Sequence, residues 1–520
     1  MSWTRSSGGE GLSPLLSVQG LQTEFLTPRG LIRAADGVNF DIREGEVLGL
    51  VGESGCGKSV TALSIMYLIP TPPGRIASGA IWFRGINLLA GSENEAVVRR
   101  GLGGKPKLVR NDRALRRHRA RMAKIRGRGV SMIFQEPMSS LNPVLPVGYQ
   151  IAEVLIYQRR RIICDRLLAR RSLTQDDLRL FKGAVTSPDS AQRERCLADF
   201  CLQTALPVEK VAAIIDRSGL RMEERVERIR RLSGRTRTRH GWFLRLAREL
   251  DVLESEWMTR EWRVLSGVGT PEDDRRRLAA EAQFRSKQLL FGMILRVPVL
   301  GRILMRPIEE EARRRVLEQL KNVRISEPHK VYNEYPHELS GGMQQRVMIA
   351  MALACDPALM IADEPTTSLD VTTQAQILTL VRDLRERIHS SILYITHDLA
   401  VIAELCDRVE VMYAGKIVED APVGPLFAHP LHPYTEGLLE SIVSLDKEVS
   451  TDAPLPTIAG TVPDLLSPPP GCRFHPRCKY AFARCKAEEP RLLPQGDGRR
   501  VACFLYEEGG SRATERSPGA

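Results

Sequence analysis

The sequence has no run of about 18 uninterrupted apolar residues, so the chain is not expected to span a membrane by itself. Residues 1–11 are polar and glycine-rich and lack the apolar core of a signal peptide. A reducing, cytoplasmic setting is therefore expected for its ten cysteines, which argues against a disulfide framework. What is present is a 520-residue chain, 43% hydrophobic, which excludes a wholly disordered protein. Its length suggests roughly two to four structural units.

Basic residues exceed acidic ones, 75 against 63, for a formal charge of +12. Such a balance ordinarily points to nucleic acid or anionic lipid. The excess is not spread evenly. Residues 99–128 hold thirteen Lys/Arg and one acid, Asp112; residues 159–306 hold 32 basic and 20 acidic. Each segment carries +12, and the remainder of the chain is −12. An acidic protein thus carries two basic segments, and partner arguments from charge concern those segments only.

Chemistry is concentrated elsewhere. Residues 47–66 read as an apolar strand, the loop Gly52-Glu53-Ser54-Gly55-Cys56-Gly57-Lys58-Ser59, and a helix of apolar pattern. This fits the G-x-x-x-x-G-K-[ST] phosphate-binding pattern. Glycines let backbone N–H groups turn inward to cradle phosphate oxygens, and the helix N-terminus adds its positive dipole end. Lys58 is placed to reach the β and γ phosphates of a nucleotide, and the Ser59 hydroxyl to take Mg²⁺. A second apolar run, residues 359–362, ends in Asp363 and Glu364. Such a buried strand delivers two carboxylates to its carboxyl edge, Asp363 for Mg²⁺ through water and Glu364 to polarise an attacking water. Ser340-Gly341-Gly342 opens an apolar helix and makes a second helix end suited to an anion. One nucleotide cannot easily use both helix ends of one chain.

Together these motifs resemble those of ATP-binding-cassette (ABC) ATPases. Leu339 to Gln344 matches the family signature, with Ser340, Gly341, Gly342 and Gln344 implied to meet the ATP of a partner cassette. Gln135 matches the Q-loop, Ser368-Leu369-Asp370 the D-loop, and His397 the switch histidine; Phe25 stands where the family stacks an aromatic on adenine. The resemblance implies two cassettes dimerised head to tail by ATP, Glu364 as general base, His397 on the γ-phosphate, and Gln135 sensing Mg²⁺. Cys56 falls at a variable position of the phosphate loop, where a small residue is tolerated. Downstream, His432-Pro433-Tyr434-Thr435, Ile458-Ala459-Gly460, Val462-Pro463-Asp464-Leu465 and Gly471-Cys472 resemble the C-terminal extension of oligopeptide, dipeptide and nickel permease ATPases.

Four cysteines, Cys472, Cys478, Cys485 and Cys503, have the spacing C-x5-C-x6-C-x17-C. Four thiolates suit either zinc or an iron–sulfur cluster, and the spacing is not that of a zinc ribbon. The resemblance implies a [4Fe–4S] cluster here.

The fold class expected is α/β: a P-loop ABC cassette with a RecA-like core, an antiparallel β subdomain and a helical subdomain. The expected segments are 14–98 (first part of the core), 99–128 (a flexible basic loop running into a helix), 129–156 (Q-loop and start of the helical subdomain) and 157–306 (an inserted helical bundle). They continue with 307–420 (signature to switch histidine), 421–506 (the cysteine-bearing extension) and 507–520 (a disordered tail). Within the insertion, Met222, Val226 and Ile229, and then Phe243, Leu246, Leu250 and Leu253, recur at helical spacing. Pro271-Glu-Asp-Asp marks a helix start, and Trp242, Trp257 and Trp262 are candidate anchors. Residues 289–305 are strongly apolar but interrupted by Arg296, Pro298 and Arg302; they read as a core helix of the bundle, with a membrane-surface helix as the alternative.

The function implied is the ATP-hydrolysing subunit of a peptide-type importer, using ATP and Mg²⁺ at the cytoplasmic face of the cell membrane. Its partners would be two permease subunits, a second cassette and, through the complex, an extracellular solute-binding protein, with an anionic membrane surface as a further contact for the basic segments. The competing reading is a nucleic-acid ABC ATPase whose basic segments grip phosphate backbone. Against it stand the single cassette, the permease-type tail, and an insertion without a C-x2-C pair.

Overall fold

The computed structural model describes residues 14–441 and 458–507, apart from positions 94, 101–105, 170–172, 174, 205, 207, 218, 368, 369 and 389. The expected tail beyond 507 lies outside the described residues. The chain forms two compact units: Pro137–Cys355, and the described residues up to Glu136 joined with those from Asp356 onward.

The second unit is built on five parallel strands. Val130–Ile133, Leu359–Asp363, Ser391–Thr396, Val47–Val51 and Arg408–Tyr413 lie side by side in that order. Every residue of these five strands is buried, which explains their largely apolar sequences, Arg408 and Glu410 of the fifth strand apart: a parallel sheet covered on both faces needs no polar alternation. Lys416–Pro422 adds antiparallel to Arg408–Tyr413, and Arg500–Val501 then pairs with Glu419 and Asp420, so the cysteine-bearing extension is part of the same sheet. A separate antiparallel sheet centres on Leu16–Thr27, flanked by Gly30–Ile42 and Gly74–Phe83.

Charge is buried at the far edge of the parallel strands. Arg408 donates to Glu46 at 2.6 Å and Asp420 at 2.8 Å, and lies 3.4 Å from the fully buried Glu410. Burial pushes the Glu410 carboxyl well above the usual range, against the pull of Arg408.

The first basic segment is more ordered than a flexible loop. Ala96–Arg100 pairs with Pro106–Arg110, and helix Asp112–Ile125 follows, capped by Asn111, whose side chain accepts from the Ala114 N–H at 3.2 Å. Gly101, Gly103 and Gly104 lie outside the described residues. The helix buries Leu115, His118 and Met122 while its arginines mostly face outward. His118 lies 3.3 Å from Glu95, within ion-pair distance. Burial pushes His118 down to about 3 and Glu95 up to about 7, so the contact joins groups that favour their uncharged forms.

The helical unit contains Met222–Leu265, Pro271–Arg296 and Pro298–Asn322 as its longest helices. Pro271 is the first helical residue; Thr270 caps it and completes a capping box with Asp273. Ile229, Phe181, Phe200 and Val211 form one buried cluster of the insertion. Phe243, Leu246 and Leu250 are also buried, as the helical spacing requires. Of the three tryptophans only Trp262 is fully buried; Trp257 packs on Phe284, and Trp242 is half exposed. Residues 289–305 do not form a core helix. They straddle a break at Val297 between two helices that meet at 110°, and most of their large side chains face outward.

Candidate functional site

Four of the five parallel strands end, at their carboxyl edge, on a residue singled out from sequence. Val51 leads into Gly52, Asp363 into Glu364, Thr396 into His397, and Ile133 towards Gln135. The strand register sets Thr396 beside Val51, Ile395 beside Asp363, and Ile133 beside Ala362. Sheets of this type bind ligands in the crevice beyond those ends.

The phosphate loop is glycine-dependent for packing as well as for conformation. Gly52 and Gly57 have φ of 154° and 107°, and a Cβ on either would stand 2.1 Å from a backbone oxygen, of Met412 and Ala34 respectively. Helix Lys58–Ile65 begins with no side-chain cap, leaving its first N–H groups for a ligand. Ser54 and Gly55 are exposed at the loop's tip. Lys58 Nζ donates to the carbonyls of Gly52 at 2.7 Å and Glu53 at 3.2 Å and lies 4.0 Å from Glu364. Cys56 is fully buried and burial raises its thiol pKa, which argues against a redox role.

The Ser59 hydroxyl donates to Asp363 at 3.0 Å. Burial raises the Asp363 carboxyl to about 6, with Glu364 adding to the effect and Ser59 and Lys58 opposing it. A hydroxyl and a buried carboxylate that gains from a cation form a donor pair suited to Mg²⁺.

Glu364 is where the side chains converge. Gln135 donates to its Oε2 at 2.9 Å, Thr367 donates to the same oxygen at 3.1 Å, and His397 Nδ1 stands 3.4 Å from Oε1. The Glu364 N–H is held by the Ile395 carbonyl, and its φ of 45° is a left-handed conformation that a glutamate adopts only when its surroundings enforce it. Thr367 was not singled out from sequence. Its signal was its place three residues after Glu364.

Other expected residues take separate places. Asp370 caps helix Val371–Ile388, accepting from the Thr373 N–H at 2.9 Å and hydroxyl at 2.7 Å; Ser368 and Leu369 lie outside the described residues. Phe25 is half buried in the antiparallel sheet, its ring edge against Gly74. The signature belongs to the helical unit, where Ser340 caps helix Gly341–Leu353. Gln344 faces inward, donating to the carbonyls of Pro336 and Leu339 at 2.8 and 3.0 Å, so its amide shapes the turn while Ser340 and Gly341 are exposed.

Sequence reasoning also missed a latch on the phosphate loop. The Tyr434 hydroxyl accepts from the Glu53 N–H at 2.8 Å, and Arg477 grips the Glu53 carboxylate through both terminal nitrogens, at 2.7 and 3.0 Å. The His432-Pro433-Tyr434 motif now has a physical reading. Buried His432, pushed down to about 3 by desolvation, accepts from the Tyr434 N–H and so caps helix Pro433–Glu440, with Pro433 at its first position. That orientation aims Tyr434 at the loop.

Arg477 sits beside Cys478 in the cysteine-bearing lobe. Cys472, Cys478, Cys485 and Cys503 line one small cavity, with none in a disulfide. Burial raises the thiols of Cys472 to about 11 and Cys503 to about 12 and also lifts Cys478. The donor set suits a soft metal, yet among the described residues no three His, Cys, Asp or Glu side chains are arranged to hold a metal ion.

Residues 35–367 match the family described as ABC transporter, and residues 418–485 that described as oligopeptide/dipeptide transporter, C-terminal region. The oligopeptide transport ATP-binding protein AppD of Bacillus subtilis (strain 168) is 36% identical over 500 residues, covering 96% of this chain and 99% of that protein. The probable peptide ABC transporter ATP-binding protein y4tR of Sinorhizobium fredii is 34% identical, over 95% of this chain and 96% of its own length. The dipeptide transport ATP-binding protein DppD of Bacillus subtilis is 31% identical, over 96% of each chain.

Proposed function

Because the chain belongs to the ABC transporter family, we propose that it is the ATP-hydrolysing subunit of a membrane importer for oligopeptides, dipeptides or a related small solute, with Glu364 as its general base. The observation that carries the catalytic assignment is the convergence of Gln135, Thr367 and His397 on the Glu364 carboxylate, 4.0 Å from the phosphate-loop lysine.

Phosphoryl transfer is catalysed mainly by positioning and by stabilising charge. The loop N–H groups from Gly52 to Ser59 and the Lys58 ammonium bind the ATP phosphates, Lys58 exchanging its carbonyl partners for phosphate oxygens. Ser59 and Asp363 would hold Mg²⁺, with Gln135 beside them; the bound ion supplies charge neutralisation on the phosphates. Glu364 accepts the proton of the attacking water. Gln135 and Thr367 fix one carboxylate oxygen, and His397 is placed to meet the γ-phosphate. Phe25 stacks on the adenine. Ser340, Gly341 and Gly342 meet the ATP of a second cassette, Gln344 shaping their turn, and Asp370 lies at that cassette interface. Closure of the cassette pair drives two permease subunits, fed by an extracellular solute-binding protein, and the chain works peripherally at the cytoplasmic face of the membrane. The nucleic-acid alternative has no support in the matched families.

The four cysteines are proposed to hold an iron–sulfur cluster; what supports this is that all four line one cavity. Iron and acid-labile sulfide in anaerobically purified protein check it, and their absence with all four thiols freely alkylated contradicts it.

The importer reading is tested by purifying the chain from its native membranes. Two permease subunits should accompany it, with ATP turnover stimulated by a peptide-loaded binding protein. Stimulation by DNA or RNA, with no permease present, would overturn the reading.

A further inference from the structure

We propose that the elbow between helices Pro271–Arg296 and Pro298–Asn322 is a membrane anchor that dips apolar side chains into an anionic phospholipid surface. The elbow's inward side is already satisfied. Phe291 stacks on Phe243 with ring centroids 5.2 Å apart, and Phe284 packs on Trp257 at 5.6 Å. At 100° per residue, Leu289 and Met293 fall on the opposite face of that helix from Phe284 and Phe291. They are exposed, as are Leu290, Val297, Val299 and Ile303, with Leu289 and Val299 70% and 71% accessible. Large apolar side chains clustered so densely on a surface mark an interaction site.

The bend is fixed by packing. Pro298 starts the second helix, and Gly301 lets that helix close onto the first: a Cβ there would stand 3.0 Å from the Leu295 carbonyl oxygen. The Gly301 N–H bonds back to Val297 at 2.8 Å. Among the described residues no single helix is long and apolar enough to cross a membrane, and the two together are bent by 110°. That shape suits lying in an interface rather than spanning it.

Charge identifies the occupant. Residues 282–308 contain no Asp or Glu and five basic residues; Arg285, Lys287 and Arg306 pair with Glu281, Glu249 and Glu310, which leaves Arg296 and Arg302 as the cations at the break. Arg296 and Arg302 flank the break and are exposed. Apolar side chains at the tip with cations around them complement acyl chains beneath anionic headgroups, where arginine stems can lie along the apolar layer and their guanidiniums reach phosphate. Arg296 and Arg302 of the second basic segment thus acquire a purpose that nucleic acid does not supply. The anchor is independent of the assignment of Glu364, so ATP turnover measured on the same preparations separates failure of one from failure of the other.

The experiment is flotation of the full chain with phosphatidylglycerol–phosphatidylcholine vesicles and with pure phosphatidylcholine vesicles, in the absence of permease subunits. Wild type should bind the anionic vesicles and bind neutral ones at least about tenfold more weakly. Two variants, one combining Leu289→Ser, Met293→Ser, Val299→Ser and Ile303→Ser, the other Arg296→Glu with Arg302→Glu, should each lose about tenfold or more of the anionic binding. Both should keep wild-type Tm and ATP turnover. A Val299→Trp variant should blue-shift its added emission on anionic vesicles. Absence of vesicle binding, equal binding by wild type and the serine variant, or an elbow requirement seen only with permease subunits present or only in self-association of the chain would each overturn the proposal.

Discussion

In the sheet-containing unit charged side chains are found inside: Lys58, Asp363, Glu364, Arg408 and Glu410 are all buried. In the helical unit large apolar side chains are found outside, at Leu289, Met293, Val299 and Ile303. Both depart from the ordinary distribution, and each departure is informative because it has a cost that a plain fold would avoid. Buried charge is tolerated where partners are fixed, as around Glu364 and Arg408. Exposed apolar surface is tolerated where something else covers it. The buried charges gather at the candidate site and at one edge of the sheet, and the exposed apolar side chains at the proposed anchor.

The largest effect is expected from removing a buried charge that has no role in chemistry. Arg408→Met removes the cation shared by Glu46, Glu410 and Asp420, leaving Arg500 beside the last two, and should lower stability by about 3–5 kcal/mol. That corresponds to a fall in Tm of about 10 °C by calorimetry; a shift within about a degree would show that the cluster is solvated after all. The combined elbow variant is the counterpart, since surface substitutions typically change stability by less than about 0.5 kcal/mol each.

A smaller effect is expected at the latch. Arg477→Ala should weaken ATP binding about tenfold, because the bidentate grip on Glu53 positions the phosphate loop. Its kcat should stay within about twofold, since no catalytic side chain moves. Arg477→Lys should restore only part of the affinity, lacking the planar fork. Unchanged affinity in the alanine variant would make the latch a packing contact only.

The smallest effect concerns the buried Glu95–His118 contact. Glu95 is raised from about 4.5 to about 7, so the stability it contributes is complete below pH 4.5 and lost as pH rises through 7. His118, lowered to about 3, works in the opposite sense, its contribution falling as pH drops below 6.5. Glu95→Gln removes only the glutamate's contribution. The Tm difference between variant and wild type should therefore move in the variant's favour by a few degrees from pH 4.5 to 7. A pH-independent difference would show Glu95 to be solvated.

The sequence was most legible where cause and effect are close along the chain. The phosphate loop, the acids ending Leu359–Asp363 and the helix start at Pro271 all depend on a few adjacent residues. The latch was illegible because Glu53 and Arg477 are 424 positions apart and each alone is an ordinary surface-type charge. The elbow was misread for a different reason. Residues 289–305 are as apolar as a core helix, and only the packing of Phe284 and Phe291 reveals that the core is already filled from the other side. In the first basic segment, strands Ala96–Arg100 and Pro106–Arg110 carry Lys and Arg at their ends and none of the apolar alternation by which strands are recognised.

Glu364, held by Gln135, Thr367 and His397, is proposed as the base that hydrolysis requires. The most direct measurement is ATP turnover and ATP affinity of Glu364→Gln beside wild type, with Lys58→Ala as the contrasting variant. The glutamine keeps the shape and hydrogen-bonding reach of the side chain but cannot take the proton. ATP affinity should be retained while kcat falls by about 10²–10⁴, whereas Lys58→Ala should lose affinity itself. Wild-type turnover in Glu364→Gln would contradict the assignment.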